Sequence, residues 1–301
     1  MRNAFIDELV TAAEINENIV LIVGDLGYSV VEPFANKFPK RFFNAGVAEQ
    51  NMTGLAAGLA SEGFHVFVYS IANFPTFRCA EQIRNDVDYH KMSVTVVAVG
   101  GGLAYGNQGY SHHAVQDYAL MRVMPNMLIA APGDPMEVRA CMRYLISNPQ
   151  PSYLRLGKSG EPCIHAEAPS VLPGKWLCVR EGEKGGKTYL TTGAPLELVS
   201  KLVTTKPDLK DWSLCSMPLW SMKVKAMQVQ QLENFSTIVT VEDHLMDGGF
   251  GSWLLESAIS HPDLLPHIRI KGLNSKVCGV VAKQSTLHAE GGLTAEALVQ
   301  V

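Results

Sequence analysis

The 301-residue sequence contains no CxxC pair, and its six cysteines, Cys79, Cys141, Cys163, Cys178, Cys215 and Cys278, are scattered along the chain. Neither a zinc site of the usual ligand spacing nor a disulfide framework is suggested, and reduced, buried thiols are expected. No run of about five like charges occurs, and the formal net charge is only −4. Without a basic footprint, nucleic acid and an anionic membrane are disfavoured as partners. No apolar stretch reaches the roughly 18 residues of a membrane span. The opening MRNAFIDELVTAAEINEN carries acids among its apolar residues, unlike a signal peptide. A cytoplasmic protein is expected.

What is present is an ordinary globular composition, 47% hydrophobic and 18% charged, able to bury sizeable cores. The length is comfortable for two domains of about 100–200 residues each. Phe5, Ile6, Leu9, Val10, Ala12 and Ala13 stand at helical spacing, and Ile19 to Val23 then form a short β-branched run ending at Gly24-Asp25. The alternation recurs through HVFVYS (65–70), a helical pattern from Gln82 to Tyr89, SVTVVAV (93–99), MLIAA (127–131), DPMEVRACMRYLI and SYLRL (152–156). Periodicity collapses between Gly157 and Lys187 into Gly, Pro, Glu and Lys, and a second run follows with TYLTT, WSLCS, STIVTV and HIRIKG. The pattern predicts an α/β protein of two domains, residues 1–165 and 187–301, with a connection over 166–186. Each domain is expected to hold a mostly parallel sheet covered by helices on both faces.

Ligands of open parallel sheets sit where the loops after the strands meet. That rule selects Gly24 to Ser29, Asn44 to Glu49, Ser70 to Phe77 and Gly100 to His113. In FFNAGVAEQNM, Glu49 opens a helix rich in small residues. Burial disfavours its charged form and the positive helix end favours it. Such an acid either complements the helix dipole or does chemistry, and the segment alone leaves both open. Ile71, Phe74 and Phe77 stand three apart, as one face of a core helix would. The stretch from Gly100 to His113 is too glycine-rich for regular structure and suggests close approach of backbone to a ligand. Its paired histidines lack a Cys or Asp at ligand spacing, which disfavours a metal site. VEDHLMDGGFGS (241–252) runs from a strand into a glycine-rich helix start, without the G-x-G-x-x-G order of a dinucleotide site.

FNAGVAEQNM, followed by a small-residue helix, a strand and an aromatic loop, resembles the cofactor-activating segment of transketolases, and is similar also to that of 1-deoxyxylulose-5-phosphate synthases. The resemblance runs from Arg2 to the closing LTAEALVQV. It implies a thiamine-diphosphate enzyme of ketol transfer between a ketose and an aldose, with Glu49 hydrogen-bonding N1′ of the aminopyrimidine. A carboxylic acid suits that place because sharing a proton with N1′ favours the imino tautomer that activates the thiazolium C2. Phe74, then Phe77 and Ile71, match the aromatic loop that packs against the aminopyrimidine, and Asp25 lies on the cofactor side. GYSHHAVQD resembles the substrate loop, with His112 as the implied substrate histidine. Arg2, Ser29 and Lys158 match phosphate-side positions, so sugars or sugar phosphates are the implied substrates. The EDH…GGFGS turn resembles one whose role is chiefly structural.

Two departures qualify the match. Gln108 stands where transketolases usually carry an aspartate that recognises a donor hydroxyl, and Gly100 or a neighbour replaces a second substrate histidine. The Gly-Asp-Gly segment with a following Asn that holds Mg²⁺ and the diphosphate is also missing: Gly24-Asp25-Leu26 and Gly133-Asp134-Pro135 lack that continuation. No metal ligand is therefore assigned to this chain. A separate N-terminal-half subunit is implied to supply the metal site, in an α2β2 assembly. Two other readings are the β subunit of a 2-oxoacid dehydrogenase and a non-catalytic structural or regulatory paralogue.

Overall fold

A computed structural model describes residues 1–300. Twelve strands form two sheets: β1 (Ile19–Val23), β2 (Phe42–Asn44), β3 (His65–Ile71), β4 (Val94–Val99), β5 (Leu128–Ala130), β6 (Ser152–Leu156), β7 (Leu177–Arg180), β8 (Gly185–Thr192), β9 (Ser213–Ser216), β10 (Leu219–Trp220), β11 (Phe235–Leu245) and β12 (Ile268–Leu273). The first sheet has the order β10-β5-β6-β4-β3-β1-β2 and the second β12-β11-β8-β9-β7. Only β10 and β7 run antiparallel to their neighbours. Helices cover both sheets, as expected of an α/β protein.

The central strands are mostly apolar because both faces are covered, with Thr95, Ser152 and Arg155 as buried polar exceptions. Every residue of β1, β4 and β6 is buried. Helix Glu49–Ser61 packs Met52, Ala56, Ala57 and Ala60 into the core, and these mostly small side chains let the helix approach the sheet closely. Helix Pro135–Ser147 starts where Asp134 accepts the Glu137 N–H at 2.7 Å, with proline in its first turn. The expected helix around Gln82 to Tyr89 is wound as a π turn over Ile83–Asp88.

Residues 166–186, expected as a connection, also contribute β7. This edge strand is half-exposed, so it lacks a full apolar run. Shortly after β9, the chain returns to the first sheet and adds β10 against β5, pairing Leu219 with Ala130 and Trp220 with Ile129.

The two sheets interlock through Glu242-Asp243-His244 at the end of β11. Glu242 accepts the Phe250 and Gly251 N–H groups at the start of the next helix. Asp243 accepts the Leu103 N–H at 3.3 Å and pairs with His288 at 3.1 Å. His244 stacks on Tyr118 with ring centroids 5.3 Å apart. Arg155, buried at the first sheet, donates to Asp117 Oδ2 at 2.7 Å, to the Tyr118 hydroxyl at 3.2 Å and to the Asp243 carbonyl at 2.9 Å. Gly102 has φ +65°, and a Cβ there would lie 1.9 Å from Asp243 Oδ2, so no other residue fits.

Candidate active site

Strands β1, β3, β4 and β6 deliver their following loops to one end of the first sheet. Glu49, first residue of its helix, turns inward there and is only 4% exposed. Its side chain lies by the end of β1 and β3: a Cβ on Gly24 would meet Ser70 Oγ at 3.5 Å and Glu49 Cγ at 3.6 Å. The approach to this helix is fixed by Asn44, whose Oδ1 accepts the Asp25 N–H at 3.0 Å and the Gly46 N–H at 2.9 Å. Its Nδ2 donates to Asp25 Oδ1 at 2.9 Å, which also accepts from the Tyr28 hydroxyl at 3.2 Å. Asp25 adopts φ +56°, a conformation that aspartate tolerates better than most residues. The FNAG motif thus ties two loops together just ahead of Glu49.

One carboxylate oxygen, Oε1, accepts from Arg78 Nη1 at 3.0 Å. Arg78 in turn lies over the Phe74 ring, 4.2 Å from its centroid. Phe74 meets His112 edge-on at 5.2 Å, and Tyr105 meets His112 at 6.5 Å on another side. Buried carboxylate, guanidinium, aromatic ring and imidazole therefore form one chain of contacts. Asn73 ties the loops together, donating from Nδ2 to the Ser111 carbonyl at 3.1 Å and the His113 carbonyl at 3.0 Å. Phe74, Phe77, Arg78 and Ser111 share the wall of a 620 Å³ cavity. Ile71, half-buried, ends β3 above it in sequence, and Phe77 is largely exposed.

The paired histidines divide their work. His113 is buried, with Nε2 3.0 Å from the Gly106 carbonyl, and pins the glycine loop. His112 is half-buried with Nδ1 3.0 Å from Ser111 Oγ. Burial, then the nearby His113 and Arg78, push its protonation below the ordinary histidine range, so it is neutral near pH 7. Beside Glu49, burial pushes the Cys79 thiol up to about 11.

Gln108 and Lys158 line one 540 Å³ cavity together with Tyr105 and Lys283. Arg2 and Ser29 line neither cavity. Arg2 lies beside the buried Tyr69, and Ser29, exposed with φ +64°, uses its N–H to bind Glu32 at 2.7 Å. Among the described residues, no group of three or more His, Cys, Asp or Glu side chains is arranged to hold a metal ion.

Arg78, Tyr105, Asn73 and Lys283 were not singled out as site residues by the sequence, although Asn73 and Tyr105 lie in the loops that it selected. For Arg78 a usable signal existed: four residues after Phe74, a guanidinium on a helical segment comes over the ring. Lys283 arrives from the far end of the chain and has no local signature.

Residues 1–161 match the transketolase pyrimidine-binding domain family. The chain belongs to the transketolase family. Over its whole length it is 34% identical to a protein of Methanocaldococcus jannaschii described as a transketolase C-terminal section, covering 94% of that protein. It is 32% identical over 87% of its length to one subunit of the apulose-4-phosphate transketolase of Phocaeicola vulgatus, covering 84% of it. Against the 1-deoxy-D-xylulose-5-phosphate synthase of Listeria monocytogenes it is 32% identical, but spans only 43% of that enzyme. Among solved structures it resembles a split-gene transketolase, an inactive beta4 tetramer, with TM-score 0.85, 32% identity and coverage of 99% and 95% of the two chains. This member of the transketolase family is a transferase-type chain corresponding to the enzyme's C-terminal section. Among the described residues no helix is long and apolar enough to cross a membrane.

Proposed function

We propose that this chain furnishes the aminopyrimidine side of a thiamine-diphosphate site and, with a separate subunit, transfers a two-carbon ketol unit from a ketose to an aldose. The observation that carries the reading is Glu49: a buried carboxylate opening a helix, with Oε1 held by Arg78 and Oε2 accepting no hydrogen bond among the described residues. That leaves one oxygen for a proton-sharing contact with a pyrimidine nitrogen. Phe74, with Phe77 and Ile71, offers an apolar wall for a flat ring, and Asp25 shapes the neighbouring loop. When bound, the cofactor supplies a thiazolium that stabilises carbanion character at the transferred fragment.

His112, neutral near pH 7, can donate to or accept from a sugar oxygen. Gln108 with Lys158 suits a hydroxyl and an anionic group in the adjoining cavity, and Arg2 and Ser29 are the remaining phosphate-side candidates. A diphosphate needs Mg²⁺ with near-octahedral oxygen ligands, and this sequence lacks the segment that holds it. We therefore assign Mg²⁺ to a partner N-terminal-half subunit in an α2β2 cytoplasmic enzyme, with residues 1–165 as the pyrimidine-binding domain and 187–301 as the C-terminal domain. The inactive state of the similar beta4 tetramer supports the view that such a chain needs its partner. The same family match makes a 2-oxoacid dehydrogenase subunit the weaker reading.

The test is to assay the chain, a candidate partner and their mixture for thiamine-diphosphate-dependent ketol transfer, with calorimetry of cofactor and Mg²⁺. Turnover and clear binding heat are expected only for the mixture. Tight, Mg²⁺-dependent binding by this chain alone would overturn the split-site reading.

A further inference from the structure

Cys178 and Cys215 stand directly opposite each other where β7 runs antiparallel to β9. Directly opposed residues share a face of the sheet, with Cα atoms about 4.5–5.5 Å apart. A disulfide spans Cα separations of about 4.4–6.8 Å. The covalent bond is therefore compatible with the existing register. The two thiols are close enough to shift each other's protonation.

The pair is asymmetric. Cys178 is exposed on the edge strand, whereas Cys215 is 4% exposed and accepts from Thr188 Oγ1 at 3.7 Å. The neighbouring Cys215 brings the Cys178 thiol down to about 7, against the opposing effects of burial and Glu181. Conversely, Cys178 and burial push Cys215 up. Such a division gives one reactive thiolate and one resolving thiol beside it. Of the other four cysteines, Cys79 and Cys141 are buried, Cys278 is half-buried and Cys163 is exposed.

Both cysteines line an 860 Å³ open cavity. Trp176 and Phe235, stacked 5.7 Å apart, line it as well. Its charged residues are Glu181, Glu183 and Glu233 against a single Lys184. This acidic balance disfavours an anionic oxidant such as glutathione disulfide and admits a neutral one.

We infer that Cys178 and Cys215 form a reversible redox pair, oxidised to an intramolecular disulfide by hydrogen peroxide entering this cavity. In the first step the Cys178 thiolate attacks one peroxide oxygen. An S–O bond forms, the O–O bond breaks, and hydroxide leaves to become water on protonation. Cys178 is oxidised by two electrons to the sulfenic acid and the peroxide is reduced. In the second step the Cys215 sulfur attacks the sulfenic sulfur. The S–S bond forms, the S–O bond breaks, and hydroxide leaves with the Cys215 proton as a second water. A dithiol reductant restores both thiols. The result staples edge strand β7 to the second sheet, using no residue of the cavities beside Glu49 or Gln108.

The test treats the reduced full chain with hydrogen peroxide at neutral pH, quenches by alkylation, and maps peptides by mass spectrometry with and without dithiothreitol. The expected result is the loss of two free thiols and a reductant-sensitive peptide joining Cys178 to Cys215, forming about tenfold faster than Cys163 is modified. Cys178→Ser should abolish the linked peptide. Cys215→Ser should leave Cys178 as a sulfenic acid that dimedone traps, and circular dichroism checks that both variants are folded. Oxidation of wild-type Cys178 to sulfinic acid without a disulfide would overturn the inference. So would preferential pairing of Cys178 with Cys163, Cys278 or a second copy of the chain.

Discussion

Arg78 donates to Glu49 at 3.0 Å across 29 residues of sequence, joining a half-exposed cation, 48% accessible, to a carboxylate that is 4% accessible. Solvent around the guanidinium limits such a pair to about 1 kcal/mol or less. Its effect on the site is geometric: one carboxylate oxygen is held while the other is left to a ligand. Arg78→Met keeps an apolar stem near Phe74 and removes the charge. Urea denaturation should register a stability loss of no more than about 1 kcal/mol. A loss of several times that would make Arg78 a structural residue.

Glu49→Gln should leave folding and subunit assembly nearly intact while lowering turnover by roughly two orders of magnitude or more, the scale of a lost acid/base group. Exchange of the thiazolium C2 proton in the assembled enzyme reads this directly. Exchange at the wild-type rate would reduce Glu49 to a helix-end acid.

Gln108 shares its cavity with Lys158 and Lys283. A neutral amide both donates and accepts, whereas an aspartate only accepts from a donor hydroxyl. The assembled enzyme should therefore use xylulose 5-phosphate poorly and prefer a ketose altered at that hydroxyl. A mismatched polar pair costs up to about 10⁴-fold in discrimination. Gln108→Asp should move the kcat/KM ratio toward the ordinary donor. Efficient wild-type turnover of xylulose 5-phosphate, unimproved by the substitution, would remove Gln108 as a specificity device.

Arg155 and Asp117 are both buried and bonded at 2.7 Å. Arg155→Leu strands the Asp117 carboxylate and also withdraws a donor from the Asp243 carbonyl. Breaking a buried pair on one side costs about 3–5 kcal/mol, to be measured by urea unfolding of wild type and variant. A change below about 1 kcal/mol would mean that water or repacking satisfies Asp117.

His288 and Asp243 predict a pH dependence with a definite sign. Burial opposes the imidazolium, but Asp243 outweighs it and raises His288 above 6.5. That stabilisation is complete below 6.5 and is lost as pH rises through the raised folded value. Burial likewise opposes the Asp243 charge, but His288, Arg155 and the Leu103 N–H hold its protonation below 3.8. Its contribution is complete above 3.8 and is lost as pH falls through the lowered value. The pair is thus strongest from about 4 to about 6.5 and weakens as the pH rises above that. His288→Gln should flatten the fall in Tm across neutrality. An unchanged slope would show that the pair does not report the pH.

Much of this was legible in the sequence because the decisive signals are local. IVLIV and VTVVAV declare buried parallel strands by composition alone. FNAGVAEQ and the glycine loop fall after strands, where a sheet exposes its ligand-facing end. What escaped depends on distant partners. β7 is a half-exposed edge and β10 only two residues long, so neither has room for a periodic pattern. Lys283 reaches the Gln108 cavity only after the second sheet has docked. The opposition of Cys178 and Cys215 is a matter of strand register, invisible in spacings that contain no CxxC.

The return of Leu219–Trp220 to β5 sets where such a chain can be divided. A gene fragment ending at residue 161 would encode the matched family domain but lack the last strand of its own sheet. Leu128–Ala130 would become an open edge, a template for pairing with other copies. Grafting that fragment onto a relative would succeed only where the recipient supplies a compatible two-residue strand and a carbonyl for Arg155. Chimeras joined at residue 161 should therefore aggregate unless their C-terminal halves carry both.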